Sequence, residues 1–474
     1  MERSLENVFL GADLGTSGLK LVAVGAEGAV LAESEASYTV DSFHAGWAET
    51  DPSSWVEALR SAMRQVAPAL AGRRVAALGI DGQMHGLVLC DAEGTPCRPA
   101  LLWPDRRAEP MLGSWRSLAP DVLARLANPL VAGMTGPMLG WLVAHEPDVV
   151  QRAATALLPK DFLRMQLAGA PVTERSDASA TLLWDVPADR WASDVLSALR
   201  LPQRLLPDVV ASHAVIGTTS LGEEVDGARD VPVVAGAADT PAALLAVGGL
   251  PPGAVQVNLG TGAQVLLGVR DPRPAPNPVT HLYADADGGW YAMAAIQNAG
   301  LALDRVRVML GMSWEQVFTS AGSASAGAGG VSFLPFLTGE RGGVAGPHSR
   351  GAWVGIDNRT TQADLVRAAV EAMVFSVRRG VQLLRVKPER VRLTGGGGRS
   401  PLVRQMLADL LRAEIAVVPR RSASAVGAAL LAARGAGFPM VIGEEAAALV
   451  RPAAAAPLEQ AFERWLARLP SADL

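Results

Sequence analysis

Residues 8–28 read "VFLGADLGTSGLKLVAVGAEG", and residues 255–267 read "VQVNLGTGAQVLL". In the first stretch an apolar run meets a lone carboxylate, Asp13. A Gly-Thr-Ser-Gly turn follows, and then a second apolar run. This reads as strand, turn, strand. Glu27-Gly28 then turns the chain into a third run, "AVLAESEA", giving an antiparallel meander with glycine at its corners. The second stretch repeats the phrase about halfway along and starts another meander. A chain that opens two halves with the same Gly-Thr hairpin is organised as two related α/β units. The division falls between 240 and 250, with domains at 1–242 and 243–474.

The rest of each half fits that plan. A helix with apolar positions Trp55, Leu59 and Met63 precedes a strand at 75–80 and a loop, "DGQMHG". In the second half Thr361 and Asp364 form a helix-capping pair. Leu365, Val366, Ala369, Val370, Met373, Val374 and Val377 line one face of that helix, and Gly380 closes it. Then "RVRLTGGGGRSPLVRQMLADLL" runs strand, four glycines, helix, with Ser400 and Pro401 at the cap and first turn. Segments 271–278 and 319–330 read as exposed loops, the second of them mobile.

The chain has 474 residues, long for one hydrophobic core, and is 49% hydrophobic and 19% charged. A net charge of −5 gives no reason to expect nucleic acid or an anionic membrane. Two cysteines, Cys90 and Cys97, make no disulfide framework and fit a reducing cytoplasm. The N-terminus lacks a cleavable apolar core, and long-looking apolar stretches such as 231–250 are interrupted, there by Asp239 and Pro241, so no membrane span is expected. The six histidines show no metal-binding spacing.

A glycine turn between strands lets backbone N–H groups point at an anion with no side chain in the way. The hydroxyls of Thr16, Ser17 and Thr261 add donors, and Gly260 and Gly262 flank the last of these. Two such hairpins facing one another could grip a polyphosphate from both sides. The glycines at 395–398, Gly396 and Gly397 among them, offer space for a nucleotide before a helix N-terminus. A carboxylate such as Asp13 beside a phosphate turn is repelled unless a cation intervenes. Mg²⁺ held by one or two carboxylates through retained waters is the usual arrangement. Lys20, just past the first turn, could approach the phosphates. Asp239 sits where an apolar strand ends and a helix begins, with Thr240-Pro241 as cap and first residue, a placement suited to a general base.

Taken in order, these segments resemble the FGGY carbohydrate kinases, within the larger sugar kinase, actin and heat-shock chaperone superfamily. The matching segments are "GADLGTSGLK", "GWAETDPSSWVEAL", "GIDGQMHGLVLCD", "PALLWPDRR", "LLPKDFLRMQLAG", "VAGAADTPAAL", "VNLGTGAQ", "GAWVGIDNRTTQADLVRAAVE" and "LTGGGGRSPLVRQMLAD". The resemblance implies a duplicated ribonuclease-H-like, actin-like ATPase fold with a central cleft, with ATP and Mg²⁺ as cofactors. It implies that Met84, His85, Trp103 and Asp105 lie at the sugar, that Asp239 takes the proton from the sugar's terminal hydroxyl, that Thr240 beside it bears directly on the substrate, and that Asp13 positions Mg²⁺ through water. The "GQMHG" form is most like the family's xylulokinases, which implies D-xylulose as substrate and D-xylulose 5-phosphate as product. Another pentulose or a polyol, and a sugar sensor without catalysis, are the alternatives; an actin-like ATPase without a sugar site is a third. The expected partners are a sugar and ATP, with a homodimer left open. The sequence departs from the family pattern at Met138, where lysine is usual, at Thr240, where xylulokinases carry asparagine, and at Arg305, where tryptophan is common. It also departs in the 341–348 segment, where the histidine is displaced to His348.

Overall fold

The computed structural model describes residues 5–275, 277–340, 344–346, 348–440, 447–454 and 456–470. Two seven-stranded mixed sheets dominate it. The first is built on Glu6–Leu14, Gly18–Gly25 and Val30–Ser37, an antiparallel meander extended on its other side by the parallel strand Arg73–Gly82. Val231–Val234 continues it in parallel and Val215–Thr219 closes the edge. The second sheet repeats the pattern. Val255–Leu259 pairs antiparallel with Ala263–Val269 and parallel with Arg390–Thr394. Glu414–Val417 and Ala448–Val450 follow on that side, parallel then antiparallel. The repeated phrase in the sequence is thus a repeated topology.

Each central strand is apolar along most of its length because it is covered on both faces. Helix Ser53–Leu70 lays Trp55, Leu59 and Met63 against one side of the first sheet. Helix Ala423–Gly435, late in the chain, covers the other side. It lies so close that a Cβ on Gly11 would stand 1.9 Å from the Ala425 carbonyl oxygen, and one on Gly79 would stand 2.1 Å from that of Ala428. Gly427 in turn approaches helix Asp239–Leu245, where a Cβ would meet the Ala242 oxygen at 1.8 Å. Backbone against backbone at three glycines binds the end of the chain to its beginning.

Several local expectations hold. Thr361 and Asp364 form a reciprocal capping box on helix Gln362–Leu383. Others are corrected. Gly380 does not end that helix; it lies inside, where a Cβ would press on Val265 Cγ2 at 2.9 Å, and Arg385 takes the left-handed turn beyond the end. Residues 319–323 are the last turn of helix Trp314–Ser323, and Ala321 and Ala328 are buried, so 319–330 is only partly a loop and partly core. Ser400 is at the cap position of Pro401–Leu411 but makes no side-chain cap bond. Met138 is buried among Trp115, Leu139 and Leu142, an apolar place that suits methionine, and Arg305 is exposed. The 341–348 segment lies partly outside the described residues; His348 is exposed. No described helix is long and apolar enough to cross a membrane.

Candidate active site

Both hairpins close in three residues. Gly15 N donates to the Gly18 carbonyl at 3.0 Å, and Gly260 N donates to that of Gly262 at 2.9 Å. Register places Asp13, the penultimate residue of its strand, opposite Lys20 across the hairpin and alongside Asp81 of the parallel strand. The short strand Ala237–Ala238 pairs with Asp81 and Gly82, and Asp239 follows it. Sheet geometry therefore gathers Asp13, Asp81 and Asp239 at one edge, below the first hairpin.

Asp13 and Asp239 are half-buried, whereas Asp81 is 0% exposed. Asp13 Oδ2 accepts a hydrogen bond from the Ser424 hydroxyl at 2.6 Å. Burial pushes its carboxyl above the usual range, against the opposing pull of Ser424 and Lys20. Asp239 opens helix Asp239–Leu245 from within its first turn rather than being capped by Thr240. Its Oδ1 accepts from Thr240 N at 2.5 Å and from the Thr240 hydroxyl at 3.1 Å. Both bonds that the described residues give this carboxylate go to Oδ1. Burial and the nearby charge of Asp13 raise Asp239 to about 7, which is where a general base working at neutral pH performs best.

The second hairpin is arranged differently. The Thr261 carbonyl accepts from Leu301 N at 2.8 Å, and that of Gly260 accepts from Gly300 N at 3.1 Å, so the start of helix Gly300–Met309 braces it. Of the glycines expected at the nucleotide, Gly396 faces open space. Gly397 lies against Leu259, where a Cβ would meet Cγ at 2.6 Å, a packing reason for its lack of side chain. Lys20 stands between Asp13 and Glu35 in the cross-strand register.

Of the residues expected at the sugar, Met84 is buried in the same apolar cluster as Ala238, the residue before Asp239. His85 holds a left-handed backbone at φ 67° and its Nδ1 is 2.7 Å from the Ala180 carbonyl oxygen. An uncommon conformation at a loop histidine is the kind of strain that collects at ligand sites. Trp103 is 37% exposed, and its indole N–H donates to Thr16 Oγ1 at 2.9 Å, linking its loop to the first hairpin. Asp105, also expected at the sugar, is held by its neighbours. Its carboxylate accepts from Ala48 N at 2.7 Å and from Arg107 Nη2 at 2.8 Å and Nε at 3.0 Å. It is 1% exposed and clamps the loop that carries Trp103.

Sequence reasoning missed Asp81 and the support beneath Asp239. Glu174 accepts from Ser176 Oγ at 2.8 Å, and that hydroxyl oxygen accepts from Ala238 N at 2.9 Å, fixing the backbone just before Asp239. Lys160, wholly buried, pairs with Asp161 at 2.6 Å and with Asp177 at 3.1 Å close by. A signal for Asp81 was present: "GAD" and "GID" end two neighbouring strands in the same way.

For a divalent cation the donor set fits as a pair. No group of three or more His, Cys, Asp or Glu side chains among the described residues is placed to cage an ion. Asp13 offers a half-buried carboxylate, and both oxygens of buried Asp81 have no hydrogen-bond partner. Oxygen-only donors in small number suit Mg²⁺, which keeps waters and takes the rest of its shell from phosphates.

Two glycine hairpins on duplicated sheets, with carboxylates at the strand ends, define a phosphotransferase cleft of the actin-like type. Residues 8–246 match the N-terminal domain, and residues 255–436 the C-terminal domain, of the FGGY family of carbohydrate kinases, and the chain belongs to that family. It is 35% identical over 472 residues to a xylulose kinase of Streptomyces coelicolor (strain ATCC BAA-471 / A3(2) / M145), covering 96% of this chain and 93% of the relative. It is 32% identical over 435 residues to a xylulose kinase of Escherichia coli (strain K12), covering 90% and 89%. A crystal structure from Brucella ovis, described as a xyloylose kinase, superposes with a TM-score of 0.89 at 28% identity over 97% of both chains. The chain is thus a carbohydrate kinase with ATP as phosphoryl donor, and its fold is the duplicated ribonuclease-H-like one expected.

Proposed function

We propose that this kinase phosphorylates D-xylulose at its terminal O5. What carries the reading is the 32–35% identity to xylulose kinases over nearly the whole chain, beside a carboxylate of suitable basicity at the cleft. Asp239 accepts the proton of the O5 hydroxyl on Oδ2, because Oδ1 is held by Thr240. The turns Thr16-Ser17 and Gly260-Thr261-Gly262 grip the ATP phosphates from the two halves, and Gly396 borders the adenosine. Met84, His85 and Trp103 hold the sugar. Asp13 holds Mg²⁺, which when bound neutralises charge on the phosphates. Phosphoryl transfer asks little of the protein beyond such alignment and charge balance.

We divide the chain at 242/243 and expect the cleft to close on sugar, since the two hairpins lie in different halves. Helix Ala423–Gly435 belongs to the second segment while packing on the first sheet.

The test is a coupled ADP-release assay over ketopentoses, aldoses, gluconate and glycerol. D-xylulose is expected to give the highest kcat/KM. A higher value for an aldose, gluconate or glycerol overturns the substrate.

A further inference from the structure

We propose that Asp81 is the second carboxylate of a divalent-cation site that it shares with Asp13, so that this chain grips its metal with two side chains rather than one. The proposal rests on the Mg²⁺·ATP reading above and adds a residue to it. Asp81 is wholly buried, yet among the described residues no donor reaches either of its oxygens. Its carboxyl lies within hydrogen-bonding reach of that of Asp13, its register partner on the next strand, and Asp239 adds a further negative charge nearby. Two neighbouring donors are committed elsewhere, and Lys20 stands opposite Asp13 rather than Asp81. Gln83 Nε2 goes to the Gly15 carbonyl at 3.1 Å, and Lys160 to Asp161 and Asp177. A buried carboxylate without a donor or a cation is unfavourable, and a second carboxylate against it makes it more so. A divalent cation reconciles the pair.

The duplicated half supplies an internal control. In the second sheet the positions of Asp13 and Asp81 are taken by Asn258 and Thr394, again register partners on parallel strands. The same geometry carries two carboxylates under one hairpin and two neutral groups under the other. Strand geometry alone therefore does not require the acids. Access is also built in. Asp13 is half-open, and Ser424 occupies only its Oδ2.

The experiment is a Mn²⁺ titration followed by electron paramagnetic resonance of the free ion, with and without ADP, on the full-length wild type, Asp81→Asn and Asp81→Ala. Thermal melts with and without Mg²⁺ run alongside. Wild type should bind Mn²⁺ and melt higher with Mg²⁺. Both variants, folded by their melts, should lose at least about tenfold in Mn²⁺ affinity and most of the Mg²⁺-dependent shift. Asp81→Asn removes a buried charge and keeps the shape, so it stays testable if Asp81→Ala does not fold. Unchanged Mn²⁺ affinity in Asp81→Asn overturns the proposal and leaves a proton shared by two carboxyls as the reason for the pair. Absence of Mn²⁺ binding by wild type, even with ADP, overturns it too. The xylulose assay is read separately. Turnover by wild type with unchanged metal affinity in the variant removes Asp81's role and keeps the function; no turnover on any sugar removes the function, while the titration still decides Asp81.

Discussion

The two hairpins share a backbone and differ in charge. At the first, Asp13 faces Lys20 across the turn and Asp81 on the neighbouring strand. At the second, Asn258 faces Gln264, donating from Nδ2 to Oε1 at 3.2 Å, with Thr394 alongside. A duplicated scaffold has thus been assigned two tasks. One hairpin carries the carboxylate pair and sits beside Asp239, the proposed base. The other is neutral, braced by a helix start, and free to approach phosphate through backbone alone. On the proposed reading, Coulomb repulsion accounts for the asymmetry, since a second carboxylate pair would repel the phosphates gripped between the hairpins.

The largest effect expected falls on the charged side. Asp239→Asn removes the proton acceptor while keeping shape and the Thr240 contacts at Oδ1. Its kcat should fall at least ~10²-fold, with ATP affinity by calorimetry and the melting temperature nearly unchanged. A variant that kept most of its kcat would place the acceptor elsewhere and sever the link between the first hairpin and catalysis.

A second substitution attacks the asymmetry directly. Asn258→Asp gives the neutral hairpin the first one's carboxylate without a lysine opposite. The KM for ATP should rise about tenfold, the equivalent of ~1.4 kcal/mol. Unchanged KM would mean that the second hairpin does not meet the phosphates. The third prediction concerns what holds the charged sheet in place. Gly427→Ala puts a methyl where the Ala242 oxygen stands 1.8 Å away, and such overpacking should cost about 1–3 kcal/mol by denaturant unfolding. Wild-type stability would show that helix Ala423–Gly435 can back away from the first sheet.

The same comparison explains how much was legible in advance. The duplication, both hairpins and the capping box were readable because each rests on local rules: period, glycine at corners, a cap three residues before its partner. That Asp13 and Asp239 end strands at one sheet edge was partly readable, because each ends an apolar run. The Asp105 clamp was not legible because its partner, Arg107, is only two residues away, and nothing in the spacing says that a carboxylate will turn to a neighbour. Asp81 was missed because its significance lies in register across parallel strands 68 residues apart in sequence. The Gly11, Gly79 and Gly427 contacts were hidden for the same reason, since "ASAVGAALLAARG" reads as an ordinary helix until its partner is known. The Thr240 hydroxyl was expected at the sugar, and its bond to Asp239 Oδ1 was not foreseen.

That last contact gives the smallest prediction, on the pH dependence of the charged side. Asp239 has its carboxyl raised to about 7 by burial and by Asp13. A raised carboxyl is protonated below that value and can accept a proton only above it. The kcat/KM for sugar should therefore climb through an acid limb near 7 and level off beyond. The Thr240 hydroxyl favours the ionised form by donating to Oδ1, so Thr240→Val removes a stabiliser of the anion and must move the limb upward. One pH unit corresponds to ~1.4 kcal/mol, and loss of a single side-chain bond of this length, with the backbone bond retained, is worth about half of that to all of it. The limb should move up by about 0.5–1 unit, so that the variant loses activity at pH 6.5 and recovers it by pH 9. A limb that stayed in place would mean that another group sets it. A uniform loss at every pH would instead return Thr240 to the sugar.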